Sequence, residues 1–220
     1  MKTPGRGLVH QFVASTADQS SITLIVLHGS GADQAAAREL GENVLPRAAL
    51  VTVGAGESPD AETGYFRQPS QGRPDLADIT QRADELADFA ARVPSTYSLN
   101  PAGIVVVGYS DGAHLAAATL LLHPQAFPCA VLLRPKLPLF PQNRPRLAGT
   151  PILIECGESD AVVSPGSSAE LSILLERCGA RVTTHWQNAG HDLTPRDIAD
   201  AQTWLKAFSA GVDPGGGSAG

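Results

Sequence analysis

The chain alternates between two hydrophobic periodicities along most of its length, and this alternation limits the fold more than any other feature. Residues 22–27 (ITLIVL), 104–107 (IVVV), 129–133 (CAVLL) and 151–156 (PILIEC) are short, nearly continuous apolar runs. Such runs suit strands covered on both faces, because a strand with one wet face alternates apolar and polar residues. Residues 8–14, 49–53 and 181–186 read as further strands. Between the strands lie segments at helical spacing: 35–45, 75–93, 114–122, 167–178 and 195–208. In 75–93 the apolar set is Leu76, Ile79, Ala83, Leu86, Phe89 and Ala90, with acidic residues crowding the first turn, where the helix dipole favours them. Strand then helix, repeated, predicts a mostly parallel central sheet with helices on both faces. In such sheets ligands bind at the carboxyl ends of the strands.

Size and charge remove several classes of function. A chain of 220 residues can bury roughly 70–75% of its unfolded surface without disulfide or metal support. No apolar run reaches the roughly 18 residues needed to cross a bilayer, so no membrane insertion is expected. Sixteen basic against 22 acidic side chains leave a net charge of −6, which argues against a nucleic-acid partner. Cys129, Cys156 and Cys178 lack metal-ligand spacing, and the six histidines are dispersed, so no metal is expected. Apolar settings for the cysteines and an N-terminus without a secretory apolar stretch predict buried free thiols and a cytoplasmic protein. Residues 1–210 read as a single domain and 211–220 as a flexible Gly-rich tail, with a monomer or homodimer as the assembly.

The informative residues follow the strands. After 104–107 comes Gly108-Tyr109-Ser110-Asp111-Gly112, a G-x-S-x-G sequence between a strand and a helix. A serine on so sharp a turn needs neighbours without side chains, and the turn leaves its hydroxyl at a helix N-terminus. G-x-S-x-G is common by accident; the strand–turn–helix setting makes Ser110 the expected nucleophile. A serine hydroxyl needs a histidine base, and the base needs an acid to hold its tautomer. His191, in the loop between the last strand and the last helix, is the expected base. His114 and His123 are too close in sequence to fold back, and His185 lies inside a strand. Asp160, past the strand 151–156, is the expected acid, with Glu158 as its competitor. Asp192 adjoins His191 and would point away from it.

Acyl transfer also needs donors for the developing oxyanion. The backbone N–H of Asp111 is one candidate, and Ser30, in the loop His28-Gly29-Ser30-Gly31, supplies the other. His28 is expected to orient this loop. The loop resembles the start of a dinucleotide site, but Gln34 stands where the third glycine belongs and no acid ends the following strand. No cofactor is expected.

With these residues in place, the chain resembles the phospholipase/carboxylesterase family of α/β-hydrolases, and most of all its small bacterial carboxylesterase-like serine hydrolases. The matching pieces are LHGSGAD at 27–33, GYFR at 64–67, DLADI at 75–79, GYSDGAHLA at 108–116, AVLLRP at 130–135, PILIECGESD at 151–160, HW at 185–186 and AGHDLT at 189–194. The resemblance implies an α/β-hydrolase fold without a separate lid domain. It also implies a triad of Ser110, Asp160 and His191 and oxyanion donors at Ser30 and Asp111. Relatives often carry Asn or Gln at position 111. A carboxylate there would oppose the oxyanion, so Asp111 is expected to face outward.

The implied activity is a serine carboxylesterase on short-chain acyl or aryl esters. The alternatives are a thioesterase or lysophospholipase on longer chains, and a non-catalytic ligand-binding homologue. Candidate pocket walls are Tyr65, Phe66 and Arg67 in the long loop 54–74, and Leu137, Leu139 and Phe140 in the Pro-rich segment 134–146. Ordinary loop packing accounts for the last three equally well.

Overall fold

The computed structural model describes residues 8–16, 22–55, 64–66 and 75–210. The proposed tail and Arg67 lie outside the described residues. Strands β1 (Leu8–Val13), β2 (Thr23–Leu27), β3 (Ala49–Ala55), β4 (Ile104–Tyr109), β5 (Ala130–Leu133), β6 (Pro151–Gly157) and β7 (Arg181–Gln187) form one sheet. Its order is β1-β3-β2-β4-β5-β6-β7. Strand β1 runs antiparallel to β3, and every other neighbouring pair is parallel. The mostly parallel sheet expected from the sequence is therefore present.

Helices α1 (Gln34–Val44) and α5 (Pro195–Ser209) cover one face. There Ala37, Val44, Ala201 and Leu205 pack on Leu24, Val26, Val105 and Val131. Helices α2 (Leu76–Tyr97), α3 (Asp111–Leu122) and α4 (Pro165–Arg177) cover the other, where Leu86, Phe89, Leu115, Leu120 and Leu171 meet Ile25, Val106, Leu132 and Ile154. All five residues of β2 are buried, and so are the first five of β4, which explains their unbroken apolar sequence. Removing one large core side chain such as Leu120, fully buried, would cost about 2–5 kcal/mol.

Helices α2 and α3 extend furthest beyond their expected ends. Helix α2 continues through Pro94 to Tyr97, ending at Ser98 in the left-handed region with φ 55°. A proline one turn from a helix end loses one backbone bond, and here the N–H groups of Ser98 and Leu99 both bond the Pro94 carbonyl. Helix α3 begins at Asp111, directly after Ser110, and ten of its twelve residues are buried. It lies under the sheet's centre, so it carries no polar stripe from which its start could be read. Cys129, Cys156 and Cys178 are buried free thiols. Among the described residues no helix is long and apolar enough to cross a membrane.

Candidate active site

The carboxyl ends of β2, β4, β5, β6 and β7 gather the residues of interest along one edge of the sheet. In-register pairing does this: Leu27 lies beside Gly108, Tyr109 beside Leu133, Leu133 beside Glu155, and Gly157 beside Gln187. Each strand's exit loop therefore begins at the same height.

Ser110 sits between β4 and α3 with φ 51° and ψ −113°. A non-glycine residue there stores about 1–3 kcal/mol of strain, repaid by the packing of strand and helix around it. The two flanking glycines are forced by contact. A Cβ on Gly108 would lie 2.6 Å from the backbone of Gly112 and Ala113, and one on Gly112 would strike the Leu27 carbonyl. The Ser110 N–H bonds the Leu133 carbonyl at 2.9 Å, which fixes the turn to the neighbouring strand.

The Ser110 Oγ is 2.9 Å from His191 Nε2, and His191 Nδ1 is 2.8 Å from Asp160 Oδ2. The other Asp160 oxygen accepts the N–H groups of Val162 and Val163, each at 2.8 Å. Burial pushes the Asp160 carboxyl up, but the N–H of Val163, His191 and the N–H of Val162 outweigh it and hold it below the ordinary range. With both Asp160 oxygens engaged, the bond to Nδ1 requires a proton on that nitrogen, which leaves Nε2 free to accept one from Ser110. Glu158 is exposed, and its N–H bonds the Gln187 carbonyl. The three residues expected to act together are thus brought together, and the competitor is not.

The loop bearing His191 is held by residues that the sequence does not single out. Arg134, at the end of β5, is fully buried with φ 54°. It donates to the carbonyls of Gly190 at 3.1 Å and Asp192 at 3.2 Å, one on each side of His191. It also pairs with Asp197 through bonds of 2.7 and 2.9 Å. Asp197 in turn caps α5 by accepting from the N–H and hydroxyl of Thr194, each at 2.7 Å. Burial raises the Asp197 carboxyl, yet Arg134 and Thr194 hold it below the usual value. The Tyr109 ring lies 5.5 Å from that of His191, and its hydroxyl donates to the His191 carbonyl at 3.2 Å. Gly157 gives the loop room, since a Cβ there would meet the Gly190 carbonyl and come within 2.7 Å of the Ala189 oxygen.

The loop after β2 is equally constrained. His28 Nδ1 donates to the Gly29 carbonyl at 2.7 Å, and the Ala32 N–H bonds the same oxygen at 3.3 Å. A peptide unit is planar with its C=O and N–H opposed, so fixing the Gly29 carbonyl also fixes the direction of the Ser30 N–H. Tyr65 corrects one expectation. It forms no pocket wall: at 1% exposure it is buried, its hydroxyl donating to the Val53 carbonyl at 2.5 Å and accepting from the His28 N–H at 3.1 Å. Burial pushes this phenol strongly upward, so it stays protonated.

Asp111 is a second correction. Its side chain does not face outward: it is 16% exposed, with Oδ1 3.6 Å from His114 Nδ1, and its carboxylate is turned toward the Ser30 hydroxyl. Burial raises this carboxyl, but His114, Ser30 and Lys136 together lower it below the ordinary value. His114 is 4% exposed, and neither ring nitrogen has a hydrogen-bond partner among the described residues. Burial holds it toward the neutral form despite Asp111.

The remaining candidate walls divide. Phe66 and Leu139 pack partly buried on Ile79, Ala83 and Ala118, over α2 and α3. Leu137 is partly buried, its N–H bonding the Ser167 hydroxyl at 3.0 Å. Phe140 is 73% exposed and borders a cleft of about 790 Å³ with Leu76, Leu121 and Leu139. That cleft lies at the far end of α3, roughly 16 Å along the helix from Ser110, so Phe140 is not a wall beside the nucleophile.

One group could supply metal-ligand atoms, although no cluster is evident in the sequence. Glu155, His185 and Asp200 bring one donor atom each within 4.8 Å of one another. These atoms are already used in hydrogen bonds. His185 Nδ1 meets Glu155 Oε1 at 2.8 Å, Gln187 donates to both carboxylates, and Arg196 donates to Asp200.

Comparison with known proteins bears on the fold and the family. The phospholipase/carboxylesterase family profile matches residues 8–209. MhqD of Bacillus subtilis (strain 168), which carries the name of a hydrolase, is 31% identical over 197 residues, spanning 90% of this chain and 97% of that one. The Bacillus cereus carboxylesterase superposes with a TM-score of 0.83 at 31% identity, over 91% of this chain and 94% of that one. A carboxylesterase from Mesorhizobium loti gives a TM-score of 0.83 at 29% identity, over 93% and 97%. By this profile match and this identity, the chain belongs to the phospholipase/carboxylesterase family of α/β-hydrolases.

Proposed function

We propose that the protein is a serine carboxylesterase that hydrolyses short-chain acyl or aryl esters through an acyl-enzyme. The observation that carries this reading is the continuous chain from Ser110 Oγ through His191 to Asp160, with links of 2.9 and 2.8 Å. Ser110 attacks the ester carbonyl as its proton passes to His191 Nε2, and Asp160 stabilises the imidazolium. The N–H groups of Ser30 and Asp111 hold the oxyanion; losing one such donor typically costs about 3–4 kcal/mol of transition-state stabilisation. His191 returns its proton to the departing alcohol, and water then cleaves the acyl-enzyme by the same route.

Tight packing beside Asp111 supports a short acyl group. Even a Cβ on Gly64 would come within 3.1 Å of Asp111 Oδ2. The apolar cleft bordered by Leu76, Leu121 and Leu139 favours a second reading, a thioesterase or lysophospholipase. A long acyl chain laid along α3 would end there.

A fluorophosphonate probe tests the mechanism: it should label wild type and not Ser110→Ala. Equal labelling of both would overturn the assignment of Ser110 as nucleophile, and labelling of neither would leave the non-catalytic ligand-binding reading. A panel of p-nitrophenyl esters from acetate to palmitate tests the substrate. A maximum at the longest chains would replace the short-chain reading with the second.

A further inference from the structure

We propose that the cleft between α1 and α5 is the subsite for the alcohol half of the ester, and that it selects an aromatic alcohol. This rests on the serine-hydrolase reading above. The cleft measures about 420 Å³, within the range of small-molecule pockets, about 300–1,000 Å³. Its walls include Gly29, Ala36, Leu40, Tyr109, Leu193 and Ile198.

Three of these walls belong to the three loops that meet at the nucleophile. Gly29 precedes Ser30, Tyr109 precedes Ser110, and Leu193 lies two residues past His191. A Cβ on Gly29 would sit 3.2 Å from the Tyr109 ring and 3.5 Å from Ser110 Cβ, so this wall adjoins the reacting serine. Tyr109 also packs against the His191 ring. The walls of the cleft therefore abut both Ser110 and His191.

The direction of proton transfer assigns the occupant. Besides the oxyanion and Ser110 Oγ, the tetrahedral carbon carries two substituents: the acyl chain and the alkoxy oxygen. Collapse breaks the bond from carbon to the alkoxy oxygen, which takes the proton from His191 Nε2 and leaves as neutral alcohol. The alcohol must therefore depart on the His191 side, where this cleft lies. The acyl chain is left the opposite side, past Asp111 toward Phe66 and Leu137.

The walls define the alcohol's chemistry. Leu40, Leu193 and Ile198 are aliphatic, and the Tyr109 ring offers an aromatic face. Glu39, an exposed member of the lining, places a carboxylate where the alcohol's outer substituent would reach. Aryl alcohols suit this cleft, and aryl alcohols bearing a carboxylate do not.

Ala36 is exposed on α1, so Ala36→Trp fills the cleft without entering the core. Methyl acetate and 1-naphthyl acetate form the same acetyl-enzyme and differ only in the alcohol. In Ala36→Trp, kcat/KM for 1-naphthyl acetate should fall at least about tenfold relative to methyl acetate. Glu39→Lys asks nothing of volume. It should raise kcat/KM for 4-carboxyphenyl acetate several-fold relative to phenyl acetate. Thermal melts of both variants check the fold. Either ratio moving as stated supports the subsite; if both stay at the wild-type value while fluorophosphonate still labels Ser110, the subsite is refuted and the hydrolase reading stands. If wild type neither labels nor hydrolyses any acetate, the hydrolase reading itself has failed.

Discussion

Arg134 and Asp197 form a two-pronged ion pair, 2.7 and 2.9 Å long, with neither side chain exposed to solvent. The pair joins the end of β5 to the first turn of α5, and from there Arg134 reaches the carbonyls on either side of His191. A charge pair this dry is stable only while complete, because either partner alone would be a buried, uncompensated ion. Removing one partner of such a pair typically costs about 3–5 kcal/mol.

Arg134→Met should therefore lower the melting temperature by roughly 10 °C, given about 2–4 °C per kcal/mol for a chain of this size. The double variant Arg134→Met/Asp197→Leu should recover much of that loss in calorimetry. It should not recover kcat, since the His191 loop still lacks its two anchors. Recovery of full kcat in the double variant would show that the pair serves stability alone.

Tyr65→Phe keeps the ring and deletes the hydroxyl between Val53 and His28. The buried His28 N–H then has no acceptor, a penalty of about 1–3 kcal/mol. Because His28 sets the Gly29 peptide, esterase assays should show kcat falling more than KM changes. A melting shift with wild-type kcat would remove Tyr65 from the support of the oxyanion loop.

Substitutions at Asp111 separate its charge from its place beside Ser30. Asp111→Asn keeps a polar side chain of the same shape beside Ser30, so kcat/KM should stay within about threefold of wild type. Asp111→Ala removes the polar neighbour of Ser30 and loosens the loop that carries it, which predicts a fall of about tenfold or more. Equal rates for the two variants would mean that Asp111 does not position the Ser30 loop.

Asp160 and Asp197 both have carboxyls held below the ordinary range. At acid pH the unfolded chain therefore binds more protons than the folded one, and stability rises with pH across that window. Their contribution is complete above the unfolded carboxylate value, about pH 4, and is lost as pH falls through the lower folded values. Denaturant melts between pH 2 and 6 should show a shallower acid limb in Asp160→Asn than in wild type. An unchanged limb would mean that Asp160 is not held ionised by the fold.

Gly157→Ala should cost activity out of proportion to its size. The new methyl would press on the carbonyls of Ala189 and Gly190, displacing His191 from Ser110. Fluorophosphonate labelling should slow by about tenfold or more, the usual scale for misplaced catalytic groups. Labelling at the wild-type rate would show that the loop yields without moving the histidine.

The sequence by itself determined the strands, most of the helices and the order of Ser110, Asp160 and His191, because these are local properties. An apolar run, a glycine pair around a serine and a proline-led helix each act within a few residues. Side-chain direction was decided only by the tertiary structure. Tyr65, Asp111 and Phe140 look alike in the sequence as polar or aromatic loop neighbours of the site. One is buried beneath the β2 loop, one turns in toward Ser30 and His114, and one faces solvent at the far end of α3. Arg134 reads in the sequence as one of several basic residues beside prolines. Its role exists only because β5 ends beside the His191 loop and α5 supplies Asp197, 63 residues away along the chain. Contacts of that span depend on strand order and register, which no local pattern encodes.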